Sequence, residues 1–327
     1  MRRPLLTLGC LGGLAGFLSA APQAPPQGVS FRSTTEVVLV DVLVTRGNKQ
    51  VEGLTAADFD VRDAGVRQNV DLVSLESMPV DLLIALDVSA SVSGPRLEQL
   101  KRAAHAAVAA IRPMDRARLL NFSNDIKLDA DWTSDRGQAN RAIDALTASG
   151  LTSLLDATFT ALTLPDTPGH RPLLLLFTDG LDTSSWLSAA DVLKTAEQAR
   201  MTVYGVSAQG QGRIVRTSSD GSKESLPLDN AWLTNVPVTR LREQLMFDPI
   251  GYRSLFLPVI VGDTGGELLR ASDTDLGATF LDVLSRFNHR YLLSYTPVGV
   301  PRTGWHPIEV RVRDATLKVT ARRGYSR

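Results

Sequence analysis

A nearly unbroken apolar run at residues 80–86 constrains the fold of this chain more than any other stretch. Only Asp81 interrupts it, and a run of this kind is typical of a strand that is buried on both faces of a parallel sheet. The pair Gly94-Pro95 lies a few residues further on, and proline favours the first position of a helix. The stretch therefore predicts a strand, a turn and a helix of an α/β domain.

The turn between this strand and this helix carries three oxygen-bearing side chains, spaced two residues apart: Asp87, Ser89 and Ser91. In an extended turn, side chains at alternate positions point the same way. One carboxylate and two hydroxyls on one side suit a hard divalent cation, which prefers oxygen ligands. The turn therefore predicts a cation site, with capping of the following helix by these side chains as the alternative.

Strands alternate with helices beyond this turn. Buried strands are predicted at residues 118–122, 171–179 and 201–206, an edge strand at 126–132, and helices at 95–111, 136–146, 154–164, 188–200 and 275–289. This order predicts an α/β fold with a doubly wound, mostly parallel sheet, in which ligands bind outside the carboxyl ends of the strands. Asp179 ends a buried strand and Thr152 lies in a loop that opens a helix, so both are expected at the same end of the sheet as Asp87.

Segments on both sides of the α/β domain, which we assign to residues 79–290, are predicted to be rich in β-strands. The N-terminal β module at residues 29–78 is too small to be very stable alone, and the chain returns to β-structure at residues 291–327. We therefore expect these segments to form one flanking β-rich module. Within it, Ala64-Gly65 predicts a hairpin turn.

Three acids in the N-terminal segment are close together in sequence: Asp58, Asp60 and Asp63. They are expected on a solvated face, because the Asp-x-Asp-x-Asp-Gly pattern of a calcium loop is missing. Residues 209–252 break the alternation of strands and helices, and we interpret them as a long, partly ordered insertion whose role is open. Residues 254–261, which follow it, fit a helix or a strand equally well.

The first twenty residues have the three parts of a secretory signal peptide: two arginines, an apolar stretch at residues 5–18, and small residues at 19–21. The apolar part is short for a membrane span and contains four glycines, although an uncleaved anchor is the alternative. A Pro-rich linker at residues 21–28 follows. We therefore expect an extracytoplasmic protein, periplasmic or secreted, with no membrane span after cleavage.

Charge and cysteine content argue against several function classes. Lys+Arg and Asp+Glu both number 35, so the composition gives no bias toward nucleic acid or anionic membranes. The single cysteine, Cys10, lies in the predicted signal peptide, so the mature chain would have no disulfide, thiol nucleophile or zinc–thiolate site. The four histidines show no metal or catalytic spacing. The tryptophans at positions 186, 232 and 305 are expected to be packing residues.

Three motifs together resemble the metal-ion-dependent adhesion site of the von Willebrand factor A (VWFA) domain. They are Asp87-Val-Ser89-Ala-Ser91, Gly150-Leu-Thr152 and Phe177-Thr-Asp179-Gly180, in the order and with the spacing of that family. Residues 51–59, 263–266, 291–297 and 321–325 resemble one bacterial branch, the secreted VWFA-related proteins abundant in acidobacteria. The chain departs from this branch at Arg62-Asp-Ala-Gly65, where an acidic Glu-Asp-Gly turn is common, and in its long insertion.

The resemblance implies a Rossmann-like fold and a cation held by Asp87, Ser89, Ser91, Thr152 and Asp179, with the two aspartates acting partly through water. It implies Mg²⁺, or else Mn²⁺ or Ca²⁺, in a shell neutral enough for the ion to accept a carboxylate from outside. We therefore expect an exported protein-binding module, not an enzyme, which engages an Asp or Glu of a partner protein.

Two other functions are the alternatives to binding. The first is a structural module whose metal only stabilises the fold. The second is a metal-assisted hydrolase, against which the lack of His, Cys or Lys in the three loops argues.

Overall fold

The computed structural model describes residues 37–47, 49–75, 78–129, 131–178, 181–207, 212–217, 223–228, 237–247, 253–271 and 275–327. The predicted signal peptide, the linker, Asp179 and Trp232 lie outside these residues. Among the described residues, no helix is both long and apolar enough to cross a membrane.

Helices and strands alternate through the middle of the chain. The helices are α1 (Pro95–Ala110), α2 (Arg136–Asp144), α3 (Leu154–Leu162), α4 (Ala189–Gln198), α5 (Val238–Phe247), α6 (Phe256–Asp263) and α7 (Leu276–Asn288). The strands are β1 (Val38–Arg46), β2 (Lys49–Gln50), β3 (Phe59–Asp63), β4 (Val66–Gln68), β5 (Asp71–Val73), β6 (Val80–Asp87), β7 (Arg116–Phe122), β8 (Ile126–Leu128), β9 (Arg171–Thr178), β10 (Thr202–Ser207), β11 (Gly212–Thr217), β12 (Lys223–Leu228), β13 (Leu268–Arg270), β14 (Tyr291–Tyr295), β15 (Trp305–Val312), β16 (Lys318–Ala321) and β17 (Gly324–Ser326).

Within the described residues, the central sheet has six strands in the order β13-β10-β9-β6-β7-β8. Every neighbouring pair is parallel except β7 and β8, which confirms the prediction of a mostly parallel sheet with an edge strand. In β6, Leu82 and Ile84 enter one hydrophobic cluster with α1, α2 and α7, whereas Leu83 and Ala85 enter another with α3 to α6. Both faces of β6 are therefore buried, which explains its apolar run.

The region predicted to be an insertion contributes to the core. β11 and β12 form a two-stranded antiparallel sheet, and α5 buries Leu241 and Leu245 in the cluster that also contains α4 and α6. The segment after it, whose sequence fits a helix or a strand, forms the helix α6. Because α6 is buried along most of its length, its apolar residues have no periodicity that distinguishes the two structures.

Strands from both ends of the chain pair with one another. β1 lies between β14 and β16, and β3 lies beside β15, all in antiparallel register. Their inward-facing residues, such as Val40, Val61 and Leu293, form a third hydrophobic cluster. β3 and β4 form the predicted hairpin, and Ala64 and Gly65 both have the positive φ that a tight two-residue turn requires.

Asp63 corrects the expectation that the N-terminal acids lie on a solvated face, because it is completely buried. β3 alternates, so it turns Asp63 inward with its apolar neighbours. One carboxylate oxygen lies 2.9 Å from Nδ1 of His306, and the other accepts hydrogen bonds from the hydroxyls of Tyr295 (3.0 Å) and Tyr325 (2.9 Å). Burial, together with this carboxylate, raises the pKa of both tyrosines.

Two buried arginines connect the central sheet with the terminal strands. Arg171, at the start of β9, donates to the Asp41 carboxylate of β1 at 3.1 Å and lies over the ring of Phe287. Arg290 donates to the hydroxyl of Tyr204 in β10 (2.8 Å) and to the carbonyl of Thr320 in β16 (3.2 Å). These contacts contribute to joining residues 36–327 into one compact unit.

Candidate metal centre at the carboxyl end of the central sheet

Asp87 is the last residue of β6 and is fully buried at the carboxyl end of the sheet. Its Oδ1 accepts the backbone N–H of Ser89 at 3.0 Å, and its Oδ2 accepts the hydroxyl of Thr178 at 2.8 Å. The sequence motifs do not single out Thr178, although it directly precedes Asp179. These two hydrogen bonds hold the carboxylate in one orientation.

Ser89 and Ser91 bring their hydroxyl oxygens within 2.9 Å of each other. The turn is not extended throughout, because one turn of 3₁₀-helix (Ala90–Val92) follows Ser89. Ser89 is buried and Ser91 is exposed, so the pair reaches from the end of the strand to the surface. The side chain of Ser89 forms no capping hydrogen bond with the 3₁₀ turn that follows it. The N-cap residue of α1 is Gly94, so Ser89 does not cap that helix either.

Thr152 is buried in a second loop, residues 149–153, which we call the Thr152 loop. This loop is hydrogen-bonded to the one that carries Asp87: the N–H of Ala90 donates to the carbonyl of Gly150 at 3.0 Å. Gly150 has a φ of +81°, and a Cβ there would clash with the Asn124 side chain, whose oxygen accepts the N–H of Leu151 at 2.6 Å. Glycine at this position thus permits the close approach of the Thr152 loop to Asn124, in the turn between β7 and β8.

A third loop, residues 181–187, is called the Trp186 loop. The N–H groups of Thr183 and Ser184 donate to the carbonyl of Thr152 at 2.8 and 3.1 Å. Asp182 accepts the N–H of Leu155 at 3.2 Å, which places it at the start of α3. The structure thus brings two loops with four predicted ligands, Asp87, Ser89, Ser91 and Thr152, to one edge of the sheet, whereas Asp179 lies outside the described residues.

The chemistry of these donors suits a hard cation. In the part of the chain that the structure describes, no three His, Cys, Asp or Glu side chains cluster as metal ligands. Within the described residues, the oxygen donors predicted for a cation at this edge are the Asp87 carboxylate and the hydroxyls of Ser89, Ser91 and Thr152. A set made only of oxygen atoms fits Mg²⁺, Mn²⁺ or Ca²⁺ and does not favour soft metals.

Two of the tryptophans that are expected to pack within the protein are exposed to solvent. Trp186 is 97% exposed, so the expectation is wrong for this residue, and Trp305 is 41% exposed. Trp232 lies outside the described residues. The polar stretch that precedes Trp186, residues 182–185, is the sequence signal that it lies in a surface loop.

Comparison with known sequences identifies the central part of this region. Residues 82–182, from β6 to just beyond β9, match the family model of the von Willebrand factor type A domain. A curated relative, the E3 ubiquitin-protein ligase WAVH1 of Arabidopsis thaliana, is 36% identical over 80 residues, which amount to 23% of this chain and 12% of that protein.

Several solved structures resemble this chain at TM-scores below 0.5. An aerotolerance-related membrane protein from Bacteroides fragilis has a TM-score of 0.45 and 17% identity, over 64% of this chain and 98% of that one. The vWF domain of the pili tip protein Mfa5 from Porphyromonas gingivalis has a TM-score of 0.41 and 14% identity, over 65% and 96%. Proximal thread matrix protein 1 from the mussel byssus, with a zinc-occupied MIDAS motif, has a TM-score of 0.46 and 14% identity, over 68% and 49%.

The match to the family model covers β6, where the first motif begins, and the Thr152 loop. It agrees with the parallel strand order and with the loops that meet at the carboxyl edge of the sheet. Residues 82–182 of this chain are therefore identified as a von Willebrand factor type A domain.

Proposed function

We propose that the domain binds one divalent cation through Asp87, Ser89, Ser91, Thr152 and Asp179, and that this cation engages an acidic side chain of a partner protein. The observation that carries the proposal is the 2.9 Å approach of the Ser89 and Ser91 hydroxyls beside the buried carboxylate of Asp87. Mg²⁺ is the first candidate, with Mn²⁺ or Ca²⁺ as alternatives.

The residues of this edge have distinct parts in the proposal. The N–H of Ser89 and the hydroxyl of Thr178 hold the Asp87 carboxylate in place. Ser91 is exposed, so a partner can approach from its side. When bound, a cation with mostly neutral ligands would supply an electrophilic centre that accepts a carboxylate oxygen.

Binding is preferred over turnover in this proposal. A metal-assisted hydrolase needs a base or a nucleophile beside the ion. Residues 88–94, the Thr152 loop and the Trp186 loop contain no His, Lys or Cys in their sequences. The protein is therefore proposed to be a binding module and not an enzyme.

Export and a supporting β-rich module belong to the same proposal. The N-terminal sequence predicts a signal peptide and hence a periplasmic or secreted protein. The pairing of β1 with β14 and β16, and of β3 with β15, supports a flanking module built from both ends of the chain. Arg171 and Arg290 would hold this module against the central sheet.

Calorimetric titration with Mg²⁺ and Mn²⁺ tests the cation site. Ser89→Ala, which removes one hydroxyl ligand, is expected to weaken the affinity for Mg²⁺ at least about tenfold, because changes to the groups around a bound metal typically have effects of this size. Asp87→Asn is expected to weaken it by at least as much. Asp125→Asn removes an exposed carboxylate from the neighbouring loop and serves as the matched control for general charge attraction. Circular dichroism checks that each variant is folded. Equal binding heats in all four proteins would contradict the proposal.

A pull-down from cell envelope and culture fluid tests the partner, in Mg²⁺ or EDTA, with wild type and Asp179→Ala. Partners that need both the cation and Asp179 would support metal-mediated binding. Partners that are retained equally under all conditions would favour the alternative in which the metal is only structural.

A further inference from the structure

The Trp186 loop presents one large aromatic side chain to solvent. Trp186 is 97% exposed, in a segment whose preceding neighbours, residues 182–185, are all polar. Tryptophan is among the side chains most enriched at the energetic centres of protein interfaces, because its large apolar ring also carries an N–H donor. Its exposure therefore needs an explanation other than packing within the domain.

The backbone beneath Trp186 is held in place. The carboxylate of Asp156, in the first turn of α3, accepts the N–H groups of Trp186 and Leu187, each at 2.9 Å. The N–H of Asp156 in turn donates to the hydroxyl of Ser185 at 3.1 Å. The backbone that carries the ring is thus anchored, which lowers the backbone entropy lost when a partner covers the ring.

Trp186 belongs to the loop that is hydrogen-bonded to Thr152, one of the proposed ligands. Ser184 donates its N–H to the carbonyl of Thr152, and Trp186 follows two residues later, within about 7 Å along an extended chain. Leu151, directly before Thr152, is 54% exposed. Two large apolar side chains therefore come from the two hydrogen-bonded loops that meet at Thr152.

We propose that Trp186 and Leu151 form an apolar docking surface that selects partner segments in which the acidic residue has an aliphatic or aromatic neighbour. This inference rests on the proposed function, because the cation would receive the acid. Every protein surface offers Asp and Glu, so the carboxylate contact alone selects poorly. A segment that is polar throughout would leave both apolar side chains uncovered, whereas an adjacent apolar residue would bury them.

A phage-displayed library of random heptapeptides, selected on the immobilised full chain in Mg²⁺, tests the surface. Wild type is expected to enrich peptides that carry Asp or Glu within two residues of Leu, Ile, Phe or Trp. Trp186→Ala is expected to keep the acid and to lose the apolar preference. Phe247→Ala is the matched control, because this aromatic residue is 90% exposed on α5, and it should behave as wild type.

One enriched peptide is then synthesised, together with a version whose apolar residue is replaced by serine. On wild type the replacement is expected to raise Kd about thirtyfold, the size of a typical interface hot spot, and on Trp186→Ala to change it less than about threefold. Because Trp186 is exposed, the thermal unfolding midpoint of Trp186→Ala should equal that of wild type.

The outcomes separate this inference from the proposed function. If acids are enriched in a Mg²⁺-dependent way but without an apolar neighbour, or if the preference survives in Trp186→Ala, the docking surface is wrong and the cation proposal stands. If EDTA leaves enrichment of the acids unchanged, the proposed function fails. If wild type enriches no peptide, a linear docking segment is excluded and the inference falls.

Discussion

Asp63→Asn is expected to destabilise the protein strongly, because Asp63 is a buried carboxylate that forms hydrogen bonds with three side chains. The substitution keeps the shape of the side chain, so any loss of stability reports on its chemistry. The buried carboxylate meets His306 on one oxygen and the hydroxyls of Tyr295 and Tyr325 on the other. An asparagine can keep its single carbonyl oxygen toward the tyrosines. Its amide group then faces Nδ1 of His306, which has to become an acceptor.

That change moves the histidine proton to Nε2, which is buried and has no partner within the described residues. A buried unsatisfied donor costs about 1–3 kcal/mol, and two hydrogen bonds that lose their charged acceptor cost about 1 kcal/mol each. The free energy of unfolding should therefore fall by about 4 kcal/mol, a large part of the roughly 5–15 kcal/mol typical of domains.

Urea unfolding, followed by circular dichroism, measures this loss as a lower midpoint at an unchanged slope. Asp60→Asn is the matched control on the same strand, since Asp60 is half-buried and its carboxylate pairs with the exposed Arg62 and Arg67. Exposed ion pairs contribute about 0–1 kcal/mol, so this control should unfold close to wild type. If Asp63→Asn were no less stable than Asp60→Asn, the reasoning about the buried carboxylate would be refuted.

Three further predictions concern pH, backbone and buried charge. The pKa values of Tyr295 and Tyr325 are raised, so their contribution to the free energy of unfolding is fully present below pH 10.0, the ordinary pKa of tyrosine, and is lost above it, because the unfolded chain loses those protons first. Urea unfolding between pH 9 and 11 should show this fall in the free energy of unfolding, and Tyr295→Phe should make the fall smaller. Gly150→Ala places a Cβ at positive φ against Asn124, so it should lower the free energy of unfolding by about 1–2 kcal/mol and weaken Mg²⁺ binding. Urea unfolding and Mg²⁺ titration curves equal to those of wild type would contradict the packing of the Thr152 loop. Arg290→Met leaves buried carbonyls without their donor and should cost about 3 kcal/mol in thermal or urea unfolding; a loss below 1 kcal/mol would show that this contact contributes little.

Part of the candidate site can be predicted from the sequence, because Asp87 lies at the end of a buried strand and a parallel sheet brings the carboxyl ends of its strands to one edge. The Thr152 loop lies between two helices, and the backbone hydrogen bond from Ala90 to Gly150 is what joins it to the loop that carries Asp87. The hydroxyl approach of Ser89 and Ser91 is local, since two residues separate them. Thr178 is not predicted, because its contact with Asp87 joins two strands and no spacing within one segment encodes it.

The wrong expectations have a common physical cause. Asp63 is expected in solvent because its segment lacks the pattern of a calcium loop, and the expectation fails because His306 and two tyrosines from the other end of the chain form hydrogen bonds with its carboxylate. Trp186 is expected to pack because large aromatic residues usually do. Whether a neighbouring surface covers a side chain depends on residues distant in sequence, which no local pattern contains.

The local elements are determined by the sequence itself: the buried strand β6, the turn after it and the alternation of strands and helices follow from apolar periodicity, glycine and proline, which act between near neighbours. Tertiary structure alone decided which strands from the two ends pair, where Asp63 is buried and where Trp186 is exposed. The physical reason is that pairing across about 250 residues is selected by the free energy of burying whole surfaces together, to which each residue contributes only a small part.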